Sequence, residues 1–368
     1  MNLLQNPVLH AWIDRSNSVL EGWYGRMGSW VGSSVIALVL VFIVHRYMQG
    51  GFEPISHGTY YAGLSQDPFD TGVENPFRGR ILAPLIGWLT GLRGAWFVLV
   101  PWTFLVGFLA QVNVWCRRQG ATPSHALVLV LVIAFSPVTM HALVGPGFVD
   151  AVSYFLLAAA FMNLDRTAVT CGYMALAIMT HEASAVLIPA WLLAAGVGTD
   201  HRKPWLKRVL IVAVMLLPYA LYRSWVLRVD PGALSTAYYF SEGNLQSCLD
   251  VGPWATLVGI FAVFRLHWLV IAIAFIRSGW KSLHCRWSLV VLLSIGSTLF
   301  IAFDTTRMFC WAFPVMALAG VDLARTVGRR GAVLLLVAAW SLNFLVTPYT
   351  TTGGVSYRLN GIRAFVQE

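Results

Sequence analysis

The sequence predicts an all-α, polytopic membrane protein: a bundle of about eleven transmembrane helices with one further helix lying along the membrane. Three observations predict it. Hydrophobic residues fill 58% of the 368 positions and charged residues only 11%, against about a quarter charged in an ordinary soluble domain. From Val31 to Val346 the chain is a succession of apolar runs separated by polar breaks. The breaks also alternate in charge. One set carries Arg117 and Arg118, Arg166, then Arg202 through Arg208, Arg277 through Arg286, and Arg325 through Arg330. The other set holds Glu53, Asp67, Asp70, Glu74, Asp150, Glu182, Asp230, Glu242, Asp250 and Asp304. Short loops rich in Lys and Arg stay in the cytoplasm, so the first set is read as inside and the second as outside.

Taken in order, residues 1–29 mix Trp12, Leu20, Trp23 and Tyr24 with Asp14, Arg15, Glu21 and Arg26, a pattern that suits a helix on the inner surface. The first span, 30–47, follows without a cleavage pattern and is read as an uncleaved anchor. A long outer loop, 48–93, ends in the apolar stretch Ile81–Leu92. That stretch is too short to span and is flanked by Arg80 and Arg93, so it is read as an interfacial helix. Further spans are read at 94–115, 124–143, 148–164, 167–180, 183–199 and 208–226. A second long outer loop covers 227–252, and the last spans are 253–276, 287–303, 308–324 and 331–347. Arg265 falls inside the span at 253–276, where a charge costs about 2.5–3.5 kcal/mol or more. It needs a partner or a wet cavity, or the span is interrupted there. An odd number of spans leaves the N-terminal segment inside and 348–368 outside.

The net charge of +9 is accounted for by the inner breaks, and no soluble basic face for nucleic acid is visible. The five cysteines contain no C-x-x-C pair. Cys248 and Cys310 both fall near the outer side and could pair, but connectivity cannot be read from sequence.

Chemistry is therefore expected at the outer face. Glu53, just past the first span, is the leading candidate for a general base, with Asp67 second. A carboxylate partly sheltered at a membrane surface gains basicity; the competing reading of each is an ordinary solvated loop residue. Asp67, Asp70 and Glu74 fall within eight positions. Oxygen ligands of this kind suit a divalent metal, but the spacing is no known metal loop and no cofactor is assigned. Arg78 and Arg80 flank Gly79 and can hold a phosphate or anchor the interfacial helix. Asp150 follows the broken segment Gly145-Pro146-Gly147, and irregular backbone at membrane depth usually lines a cavity. His181 and Glu182 sit between two apolar runs, with Thr180 a candidate helix cap. Position 185 is Ala185, so H-E-x-x-H fails. Asp304 suits an N-cap, and Arg307 three residues on can pair with it or bind phosphate.

In the first outer loop an acidic residue is followed by Tyr60-Tyr61-Ala62, Pro68-Phe69 and Asn75-Pro76-Phe77-Arg78-Gly79-Arg80-Ile81-Leu82-Ala83-Pro84-Leu85. This order resembles the first outer loop of the GT-C-type polytopic glycosyltransferases. The turns at Gly147–Asp150 and His181–Glu182 resemble outer turns of bacterial relatives of that group. The resemblance implies transfer of a sugar from a polyprenyl-phosphate donor to a lipid, glycan or protein acceptor at the outer face of a bacterial inner membrane. Glu53 would be the catalytic carboxylate and Asp67 the second choice. Arg78, Arg80, Asp150, His181, Glu182, Asp304 and Arg307 would bind the substrate. Many members have Asp or a paired D-x-D where this chain has Glu53. A transporter of a lipid-linked substrate, or a non-catalytic partner in envelope polysaccharide assembly, are the competing expectations.

Overall fold

The computed structural model describes residues 7–70, 72–73, 77–196, 204–229, 242–279, 282–300, 302, 304–352 and 355–359. Glu74, Arg202, Lys203, Lys281, Arg363 and residues 230–241 of the second long loop, Asp230 among them, lie outside the described residues. The described chain is almost wholly helical, as expected.

Helix α1 (Pro7–Met27) precedes α2 (Ser29–Tyr47), and two short helices follow, α3 (His57–Leu64) and α4 (Leu82–Thr90). Helix α4 lies where the interfacial helix is expected. Helix α5 (Leu99–Arg118) extends a 3-10 segment that starts at Gly94. Next come α6 (Pro123–Ala134), α7 (Pro137–Val144), α8 (Asp150–Met162) and α9 (Thr167–Thr180). A 3-10 segment, Glu182–Leu187, leads into α10 (Ile188–Gly196). The second half comprises α11 (Pro204–Met215), α12 (Leu217–Val229), α13 (Glu242–Asp250), α14 (Pro253–Phe264), α15 (His267–Ser278), α16 (Leu283–Gly296), α17 (Thr305–Phe309), α18 (Phe313–Val327) and α19 (Arg329–Asn343). A small hairpin closes the described chain, β1 (Tyr349–Thr352) antiparallel to β2 (Val355–Arg358), with Tyr349 opposite Arg358.

The expected count of about eleven spans is too high. Among the described residues four helical stretches are long and apolar enough to cross a membrane: Ser29–Tyr47, Gly94–Arg118, Leu283–Phe300 and Thr305–Val327. Three bent pairs bring the count to at most seven: α6 with α7 (49°), α11 with α12 (45°) and α14 with α15 (85°). The first two bends have proline at the break, Pro137 and Pro218, where a backbone hydrogen bond is lost. The remaining apolar runs make helices of 13 to 15 residues. At 1.5 Å per residue these reach roughly 20–22 Å, short of a hydrocarbon core of about 30 Å. Helix α8 shows why hydropathy overcounts. All of it except Phe155 and Met162 is buried, so its apolar residues face other helices and not lipid.

Arg265 marks the third break. It adopts φ 50°, a left-handed value unusual for a side-chain-bearing residue. Its guanidinium donates to the carbonyls of Asn343 (2.8 Å), Val346 (2.8 Å) and Phe135 (2.6 Å). Phe135 is the C-cap of α6 and Asn343 ends α19. The cation thus sits where two helices leave carbonyls unsatisfied and carry negative dipole ends. The span is interrupted, and the charge is neutralised by backbone. An adjoining gap of about 10 Å³ has room for no more than one water.

The two ends of the bundle differ in chemistry. At the basic end, Arg117 lies 3.8 Å from the ring centroid of Tyr24 and donates to Ser29 Oγ at 2.9 Å. Asn17 accepts from both the amide and the hydroxyl of Ser124, and Arg330 pairs with Asp14. These contacts stitch α1 to α5, α6 and α19, and α5 to α2. The first outer loop, the turn at 145–149, the start of α17 and the β-hairpin gather at the opposite end, where Thr351 N donates to Thr306 Oγ1 at 2.9 Å. All five cysteines are unbridged and buried, so Cys248 and Cys310 do not pair.

Candidate functional site

The loop between α2 and α4 is docked through backbone. Ile55 N donates to Pro146 O at 3.3 Å. A Cβ on Gly58 would lie 2.1 Å from that same carbonyl oxygen, and one on Gly147 would lie 2.9 Å from Gly58 Cα. Gly147 also has φ 92°. Two glycines are therefore required for α3 to reach the turn ahead of α8.

This contact brings together residues far apart in sequence. His57 stacks on Phe148 (centroids 5.6 Å) and packs on Phe77 (4.7 Å). Phe77 is also stacked by Tyr60 at 4.6 Å and met edge-on by Tyr61. Arg80 donates through Nε and Nη2 to the two oxygens of Glu182 (3.0 and 3.1 Å) and through Nη1 to Tyr61 Oη (3.1 Å). On the other side of the aromatic group, Arg307 donates to both oxygens of Asp150, the shortest contact being 2.7 Å, and lies 4.9 Å from the Phe148 ring centroid. Arg78, Arg80, Asp150, His181 and Arg307 are all buried. Charge buried at this density demands pairing, and for Arg80 and Arg307 the two bidentate pairs supply it.

The arginines set the local titration. Burial, then Arg307 and Arg80, push His57 down to about 4. Burial and then Arg80 push His181 down to about 3. Burial alone would raise Glu182, but Arg80 outweighs it and holds the carboxyl well below the usual range. At neutral pH the site therefore holds two neutral histidines between two arginine–carboxylate pairs.

Several sequence expectations are corrected. Arg80 is no snorkelling anchor, because it is bound to Glu182. Arg307 gives its side chain to Asp150, while Asp304 accepts only its backbone N–H at 3.1 Å, the N-cap role expected of Asp304. Thr180 does not cap the next helix. Its hydroxyl turns back to Leu176 O, and His181 Nδ1 accepts from Ala183 N instead. Glu53 and Asp67 are exposed and stand outside the two pairs. Asp67 Oδ1 accepts from Phe69 N and Asp70 Oδ1 from Gly72 N, so each closes a turn with an oxygen a metal would need. Among the described residues no three His, Cys, Asp or Glu side chains are grouped to hold a metal.

Tyr219 and Arg223 were not singled out by sequence, and His57 and Tyr61 were read only as members of the first long loop. Tyr219 and Tyr222 donate to the carbonyls of Gly79 and Arg78, both at 2.9 Å. The Arg223 guanidinium occupies the space a Cβ on Gly79 would fill. The one available signal was Gly79 itself, wedged between two arginines. No protein-family model, characterised protein or solved structure matches the chain.

Proposed function

We propose that this chain is an integral membrane protein of the bacterial inner membrane that transfers a sugar from a polyprenyl-phosphate donor at the extracytoplasmic face. Residues 1–29 lie inside and the β-hairpin outside. The observation that carries the reading is the convergence of Arg80 and Arg307, each bound to a carboxylate, on one aromatic group at the acid-rich end of the bundle. Buried ionisable groups in a membrane protein are costly and mark functional sites by default.

In this reading Glu53 takes the proton of the acceptor hydroxyl as its oxygen bonds to the anomeric carbon. The bond from that carbon to the donor phosphate oxygen breaks, and the electron pair leaves on polyprenyl phosphate, whose charge the arginines stabilise. Glu53 is favoured over Asp67 because its loop is tied to Pro146 beside the site, whereas Asp67 is engaged in its own turn. The acceptor can be lipid, glycan or protein.

Turnover of a glycosyl-lipid donor by purified protein tests this. Glu53→Gln is expected to leave a folded, inserted protein with activity reduced on the order of 10²–10⁴-fold. Arg80→Lys, which keeps the charge and loses the fork, is expected to weaken donor use. Three bent helix pairs favour a second reading, transport of a lipid-linked substrate. Full activity in Glu53→Gln and Asp67→Asn together would reject the transferase and leave transport, or a scaffold role, as the better account.

A further inference from the structure

The basic end carries a separate feature, independent of the transferase reading. A cleft of about 310 Å³ opens there between α1, the turn after α5 and the starts of α6 and α19. That volume is in the range of small-ligand sites. Arg117, Arg329 and Glu21 supply its charge, and Thr122 contributes a hydroxyl. Neighbouring arginines are already neutralised, Arg325 by Asp322 at 2.7 Å and Arg330 by Asp14. Among the described residues neither Arg117 nor Arg329 has a carboxylate within ion-pair distance. Arg117 is nevertheless held in place by Ser29 and the Tyr24 ring. Thr122 Oγ1 is buried without a hydrogen-bond partner among the described residues. The twelve-residue helix α6 starts at the next residue, so its dipole adds positive potential.

The geometry points to a second binding site in this cleft, for a phosphate group held between Arg117 and Arg329. Guanidinium forks match phosphate oxygens. Basic clefts between helices on the cytoplasmic side take anionic lipid headgroups, and a soluble phosphate compound offers the same group. Glu21 on the cleft wall opposes a second anionic group, so a single phosphate fits better than a polyanion.

The test uses the purified full chain and two probes: inorganic phosphate titrated in lipid-free detergent, and phosphatidylglycerol retained after release from nanodiscs, counted by native mass spectrometry. Saturable phosphate binding identifies a soluble ligand class. Retention of one phosphatidylglycerol without phosphate binding identifies a lipid headgroup. With either probe, Arg329→Gln is expected to weaken binding roughly tenfold or more, the loss typical of a charge-assisted hydrogen bond. Arg330→Gln removes the same charge one position away, outside the cleft lining, and is expected to change binding little. Arg117→Lys, which preserves the charge near Tyr24, is expected to weaken binding, and Glu21→Gln to tighten it. Equal losses in Arg329→Gln and Arg330→Gln, or no binding of either probe, overturn the site.

Discussion

Arg307 passes over the carboxylate three residues before it and grips Asp150, 157 positions away, with Nη2 2.7 Å from Oδ2. Asp304 keeps only the backbone amide. The two carboxylates therefore carry very different burdens. Asp150→Asn leaves a buried guanidinium short of its counter-charge and is expected to cost about 3–5 kcal/mol. Asp304→Ala loses a cap and is expected to cost about 1 kcal/mol. Thermal unfolding in detergent measures both. A double-mutant cycle with Arg307 should give strong coupling to Asp150 and weak coupling to Asp304.

Two glycines of the same short helix should respond oppositely to alanine. A Cβ on Gly58 meets the Pro146 carbonyl, which is backbone and cannot swing aside, while a Cβ on Gly63 meets nothing within 4 Å. Gly58→Ala is expected to destabilise the protein and detach the outer loop. Gly63→Ala is expected to stabilise it by about 0.5–1 kcal/mol. Protease sensitivity of the loop, read beside the melting temperature, separates the two.

His57 should impose an acid limit. Unfolded, it takes a proton near pH 6.5; folded, it resists until about 4. Between those values the unfolded chain binds the extra proton, so stability is complete above 6.5 and is lost as pH falls through that window. Denaturant midpoints measured from pH 7 to pH 4 should fall. His57→Gln should flatten part of the fall. A midpoint that rises on acidification would refute the buried neutral histidine.

Orientation can be read by thiol labelling, because the native cysteines are all buried. Phe69 and Arg118 are exposed at opposite ends of the bundle. In intact cells Phe69→Cys is expected to react with an impermeant reagent, and Arg118→Cys only after the membrane is opened. The reverse pattern would place the arginine–carboxylate pairs in the cytoplasm.

Local chemistry was legible in the sequence wherever it was self-contained. The runs at 30–47 and 94–115 form helices long and apolar enough to cross a membrane. The helix near 81–92 was visible from its flanking arginines, and Asp304 from its capping position. What failed needed tertiary information. Helix α8 is as apolar as a span because it is buried in protein, and composition cannot distinguish protein from lipid as the apolar neighbour. Asp150 and Glu182 could be seen as costly, but their partners lie 157 and 102 positions away. Tyr61 and His57 became site residues only through the approach of Gly58 to Pro146.

Arg265 also constrains the order in which the protein can be assembled. Two of its three carbonyl partners, Asn343 and Val346, are synthesised 78 and 81 residues after it. At roughly 5–20 residues per second that is a wait on the order of ten seconds. During that time only Phe135, already made, can receive the guanidinium. The bent pair α14 and α15 therefore cannot reach its final seat when it leaves the ribosome. Its seat is completed only when the segment 343–346 arrives, so a late part of the chain fixes the placement of an earlier one.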